Sequence, residues 1–213
     1  MTDNSTRSGT SVGDRAAAAT SIGAFATAYF DRLGEVLRGI DLGELERMAE
    51  ALEAARQAGR TIFIVGNGGS ATTATSMAND LGFDIIKKTG VELPFRFLAF
   101  TDNNAVLTAI ANDVGYDEVF INQARIHYRP GDLLIAISAS GNSPNVLKAA
   151  TWVKEQGGQI IGFLGFTGGK LKAMCDIAVH VPSIAGEYGP VEDAHLVVNH
   201  ILAHWFQAKL KKG

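Results

Sequence analysis

One cysteine, Cys175, stands among the 213 residues. A lone thiol makes no internal disulfide, and it fits a reducing cytoplasm. Apolar runs are short, and none approaches the roughly 20 residues needed to cross a bilayer. No secretory apolar segment opens the chain: Met1 to Gly13 is polar, rich in Ser, Thr and Gly, and reads as a disordered tail. Basic residues are not in excess. With a net charge of −3, nothing steers the chain toward nucleic acid or an anionic membrane. Any anion site must be local, made of backbone N–H groups and hydroxyls.

What is present describes a globular chain. Hydrophobic residues make up 46% and charged residues 19%, over a length that supports one full core. Ile22, Phe25, Tyr29, Leu33 and Leu37 form one apolar face, which predicts a helix over 14–37. Asp41 caps a second helix that Gly59 ends. Five apolar runs follow as strands: 61–65, 97–100, 133–137, 160–164 and 177–181. Helices are expected between them, at about 70–81, 104–112, 117–126, from Pro144 to Gly157, and around Leu171 and Met174. A long helix closes the chain from Val191 to about Leu210. Repeated βα units with apolar strands predict a five-stranded parallel sheet covered by helices on both faces, a three-layer αβα sandwich. No internal break divides it, so 14–213 read as one domain. The two leading helices read as an oligomerisation element.

Two loops carry the chemistry. Asn67-Gly68-Gly69-Ser70 follows the first strand and launches a helix. Glycines let the backbone approach an anion, and the helix start offers N–H groups and the positive end of its dipole. Ser138-Ala139-Ser140-Gly141-Asn142-Ser143 follows the third strand, with three hydroxyls and Pro144 at a helix start. Its hydroxyls make it the better phosphate holder, and Asn67 to Ser70 becomes the wall that closes over a sugar. Neither loop is a P-loop, because no Gly-Lys-Ser/Thr follows. Neither is a dinucleotide fingerprint, because the third spaced glycine is missing.

The acid and base candidates are Asp80 and a group on the last helix. Asp80 lies ten residues past Ser70, ~15 Å along an unbroken helix, long for one bound sugar. Glu192 and His200 share roughly one helix face. His200 sits among Val197, Val198, Ile201 and Leu202 and reads as shielded from solvent. A near-neutral imidazole beside a carboxylate suits proton shuttling. His195 and His204 stand second to it.

Several ordered motifs resemble the sugar isomerase (SIS) domain family, and within it the phosphoheptose isomerase branch. They are Gly66-Asn67-Gly68-Gly69-Ser70, Leu107 to Asp113, Ser138-X-Ser140-Gly141-Asn142-Ser143-Pro144-Asn145, and Glu192 to Leu202. The resemblance implies a flavodoxin-like fold and a homotetramer built on the N- and C-terminal helices, with active sites between subunits. It also implies aldose–ketose isomerisation of a phosphorylated sugar, most closely sedoheptulose 7-phosphate, through an enediol. Asp80 stands at the family's catalytic glutamate and His200 at its histidine; Glu192 is the alternative base. Asn67, Gly68, Gly69, Ser70, Asn112, Asp113, Ser138, Ala139, Ser140 and Ser143 match ligand-binding positions.

The departures are equally specific. Asp80 is one methylene shorter than glutamate. Ser76 and Glu192 stand where zinc-binding members have histidine and glutamine. Asp84 replaces an arginine, and Ala139 a threonine. No cofactor is therefore required. A metal, if held, falls to Asp80, Glu192 and His200. A different sugar phosphate, a non-catalytic adaptor that binds a replication initiator, and a sugar-phosphate-sensing regulator remain as alternatives; no DNA-binding motif supports the last.

Overall fold

Thr61–Val65 forms β1, buried along nearly its whole length, as a strand covered on both faces must be. The computed structural model describes residues 10–211. It places β2 (Arg96–Ala99), β3 (Leu133–Ser138), β4 (Gln159–Leu164) and β5 (Ile177–His180) around β1. Every neighbouring pair is parallel, in the order β2-β1-β3-β4-β5. The winding reverses between β1 and β3, and a crevice opens at the carboxyl ends of strands flanking such a reversal.

The helices are α1 (Val12–Ala18), α2 (Ile22–Arg38), α3 (Leu42–Gln57), α4 (Gly69–Met77), α5 (Asp84–Thr89), α6 (Asn104–Asp113), α7 (Val119–His127), α8 (Pro144–Glu155), α9 (Gly169–Lys172) and α10 (Tyr188–Leu210). Alternation along β1 divides the core into two layers. Ile62 and Ile64 pack with Met48, Leu52, Ala74, Leu81, Val198 and Leu202, from α3, α4, the turn after it, and α10. Phe63 and Val65 face the other way, toward Val119 and Phe120 of α7 and Val146 and Val153 of α8. The expected three-layer sandwich is the observed one.

Three local expectations change. The polar start does not run as a free tail to Gly13. Ser11 and Asp14 form a reciprocal capping box that starts α1 at Val12, and the Val12 N–H donates to Glu187 at 2.8 Å. Residues 1–9 of that expected tail lie outside the described residues. The long first helix is interrupted at 19–21, because Ser21 accepts from the Ala24 N–H and caps a new start. The helix after β1 is not a plain α-helix either: α4 passes into a π-helical segment, Ala78–Phe83, which contains Asp80. Such bulges recur at functional sites.

A buried ion pair ties the N-terminal helices to α10. Arg32 donates to both Glu187 oxygens, at 3.1 and 2.6 Å, and the Val12 and Ile184 N–H groups complete the carboxylate. Burial raises the Glu187 pKa, but these donors outweigh it and hold the group below its usual value. Arg32→Met strands a buried charge and is expected to cost about 3 kcal/mol in urea unfolding; replacing Glu187 by Gln in the same chain recovers part of the loss. The contribution of the carboxylate is present above its unfolded value near 4.5. It fades as pH falls through the lower folded value.

Candidate active site

The two glycine- and serine-bearing loops come together at the reversal point. Asn67 and Asn145 exchange amide hydrogen bonds, each Nδ2 donating to the other's Oδ1 at 2.9 Å. The Tyr116 hydroxyl donates to the same Asn67 oxygen at 2.9 Å. Asn145 is 1% exposed and Asn67 half-buried, so on the Asn145 side the bonds are shielded, where a hydrogen bond is strong and an unmade one costly. Asn145 and Tyr116 were not among the sequence candidates. Asn145 carries a signal, an amide in the first turn of a helix beside a loop, but its partner lies 78 residues away.

Gly68 and Gly69 are required for different reasons. Gly68 starts α4 at φ 54° and ψ −122°, a backbone state that a side chain resists. A Cβ on Gly69 would overlap the Glu192 carboxylate, so loop and α10 meet through a missing side chain. Ser70 is buried, and its N–H turns back to the Asn67 carbonyl at 2.9 Å.

In the second loop the Ser138 hydroxyl accepts from the Gly141 N–H and lies 3.1 Å from the Ser143 hydroxyl. Ser138 and Ala139 are buried and shape the turn, while Ser140 and Ser143 are half-buried. Ser143 makes no side-chain cap to α8. Pro144 has no N–H and the Val146 N–H donates to Asn145 Oδ1 at 2.9 Å, so of the first turn of α8 the Asn145 N–H is left beside the serine hydroxyls for an anion. Asn112 and Asp113, bonded to each other at 2.7 Å, are exposed at the end of α6. Asp84 turns away to Lys88 at 2.9 Å, which holds its carboxyl below the usual range.

Asp80 and His200 meet within one chain, Nε2 to Oδ2 3.6 Å. Asp80 Oδ1 accepts from Asn79 at 2.9 Å and Oδ2 from Asn199 at 2.7 Å. Asn199 went unread because a buried amide amid apolar helix residues has no periodicity of its own. His200 is not shielded as expected: its side chain is 56% exposed. Val198 and Leu202 point into the core, and 100° per residue turns His200 outward with Ile201. Glu192 is half-buried and, among the described residues, makes no side-chain hydrogen bond. Burial and then the neighbouring Asp193 raise its pKa. Asp193 itself accepts from Tyr29 at 2.6 Å.

The candidate metal ligands do not converge. Among the described residues no three His, Cys, Asp or Glu side chains come close enough to share an ion, and both Asp80 oxygens already face amide N–H groups. The set does not fit a resident zinc.

A profile of the SIS domain family matches residues 28–165. The chain is 38% identical to a phosphoheptose isomerase of Rhodospirillum rubrum over 173 residues, 81% of this chain and 87% of the relative. It is 38% identical to one of Trichlorobacter lovleyi over 156 residues, 73% and 76% of the two chains. The solved phosphoheptose isomerase of Neisseria gonorrhoeae superposes with a TM-score of 0.78 at 28% identity, covering 88% of this chain and all of that one, 100%.

Beneath the crevice, His195 is fully buried and its Nε2–H donates to the Leu164 carbonyl at 3.1 Å. Burial lowers its pKa from 6.5 to about 4. The unfolded chain takes up this proton first, so stability is expected to fall as pH drops from about 6.5 toward 4. Urea unfolding across that range should show the slope, and His195→Gln should flatten it.

Proposed function

The chain belongs to the SIS domain family, and from that premise we propose that it is an aldose–ketose isomerase of a phosphorylated sugar, converting sedoheptulose 7-phosphate to a heptose 7-phosphate through an enediol. The observation that carries this reading is the meeting of Asp80 and His200 at 3.6 Å. The phosphate goes to Ser140, Ser143 and the first turn of α8, with Ser138 and Ala139 shaping that loop. Asn67, Gly68, Gly69 and Ser70 close over the sugar, and Asn112 and Asp113 contact its far hydroxyls.

Three side chains are given the proton work; Glu192 and His200 stand eight residues, ~12 Å, apart along α10, so the reading brings them to one sugar across a subunit contact of the proposed tetramer. In the ketose-to-aldose direction a base takes a proton from C1 while an acid protonates the oxygen on C2. The enediol then receives a proton at C2 and gives up the O1 proton, which leaves the C1 carbonyl. Glu192 is the base: its raised pKa and lack of a partner favour proton uptake. His200 serves the two oxygens, and Asp80 orients it. No cofactor is required.

The reading treats 14–213 as one domain and the protein as a cytoplasmic homotetramer. Exposed apolar side chains support the assembly: Ile22 and Phe30 on α2, Leu42 on α3, and Ile201 and Trp205 on α10. A groove of about 930 Å³ between α3 and α10 is lined by Leu42, Leu45, Ile201 and Trp205. Among the described residues no helix is long and apolar enough to cross a membrane.

Purified protein should convert sedoheptulose 7-phosphate and exchange the C2 hydrogen with deuterated solvent. Glu192→Gln and His200→Asn should each lower kcat about 10²- to 10⁴-fold, and Asp80→Asn by less. Full kcat in Glu192→Gln would remove it as the base. Failure of the wild type on every five- to seven-carbon sugar phosphate would overturn the isomerase itself.

A further inference from the structure

Asp80 is the carboxylate that a cation at this site would need. A cation bound by a carboxylate needs an oxygen lone pair aimed at it and further lone pairs arranged around it. At Asp80 one such direction on each oxygen holds an N–H group, and no second His, Cys, Asp or Glu pair among the described residues completes a set around the carboxylate. Asn79 Nδ2 donates to one oxygen at 2.9 Å and Asn199 Nδ2 to the other at 2.7 Å.

The Asn199 amide cannot simply turn over. It is 0% exposed, and among the described residues its Oδ1 has no hydrogen-bond partner. Rotation would set that oxygen against the Asp80 carboxylate and lose the one bond the side chain makes. A buried amide that leaves its own oxygen unpaired to serve a carboxylate is held there at a cost. The rest of the neighbourhood agrees. Ser76, one turn before Asp80, offers a hydroxyl in place of an imidazole. The His200 Nε2 stands 3.6 Å from the oxygen Asn199 holds.

We propose that Asn199 is a positioning residue that takes the place of a metal ion: its buried amide fixes and partly neutralises the Asp80 carboxylate, and the site works without bound zinc. The role given to Asp80, orienting His200, rests on the isomerase reading. The exclusion of zinc rests on the donor set alone. Asn79 shares the task from the exposed side, but its exposed amide is free to move away. Asn199, packed in the core, is not.

The test uses zinc alone as the probe. The full chain is stripped with a chelator, titrated with zinc chloride in a calorimeter, and assayed for metal content. The wild type is expected to hold no stoichiometric zinc and to keep its melting temperature when zinc is added. Ser76→His alone should gain little. Ser76→His with Asn199→Ala should take up about one zinc per chain and melt higher, because an imidazole has been added and the blocking N–H removed. Near-stoichiometric zinc on the wild type overturns the proposal, as does equal zinc affinity in Ser76→His with and without Asn199→Ala. Turnover separates the two claims. A wild type that isomerises no sugar phosphate sinks the isomerase and leaves the zinc result to decide this one. A wild type whose turnover is abolished by the chelator and restored by zinc sinks this one alone.

Discussion

Asn67 and Asn145 hold each other by two amide hydrogen bonds of 2.9 Å across the reversal between β1 and β3. Each residue belongs to a different loop, and each loop launches a helix on a different layer of the sandwich. Without the pair, two glycine- and serine-rich turns would be free to spread. With it, the crevice has a fixed width, and Tyr116 brings the segment after α6 onto the same point. The bonds are strong because Asn145 is almost fully removed from water. They are also needed on one side, because the buried Asn145 Nδ2 left alone would be a donor without that partner.

The last helix supplies what the loops lack. Glu192 fits against Gly69, Asn199 against Asp80, and His195 against the end of β4. These contacts fasten α10 to the loop after β1, the segment that carries Asp80, and the end of β4. Its polar residues differ sharply in exposure: His195 and Asn199 are fully buried, Glu192 is half-buried and His200 is open. That gradient separates roles. The buried members tune and hold, while the open one is available to exchange protons. Exposed Ile201 and Trp205 beside His200 mark the same surface as apolar, so an assembly covering it would also change the water around the imidazole.

Much of the fold was legible because its cause is local or periodic. Five apolar runs separated by helical spacing are enough for a parallel sheet with two helical layers. Glycines at 68 and 69 and serines at 138, 140 and 143 announced two anion-suited turns, since backbone conformation and hydroxyl donors are properties of the residues themselves. The break before α2 was harder to read, because Ser21 can lie inside a helix or cap one. The π segment at Asp80 was not legible, because no residue type demands it; packing against α10 accompanies it.

The sequence by itself determined the strands, the two loops, the candidate acids and bases, and the resemblance to sugar isomerases, because these follow from residue type and spacing. The tertiary structure decided what those residues touch. It opened His200 to solvent, where apolar neighbours had suggested burial, since neighbours in sequence point to different sides of a helix. It joined Asn67 to Asn145 and Asp80 to Asn199, partners 78 and 119 residues apart. And it set a buried amide donor on one oxygen of Asp80, because only the packing of α10 against the turn after α4 brings Asn199 to that carboxylate.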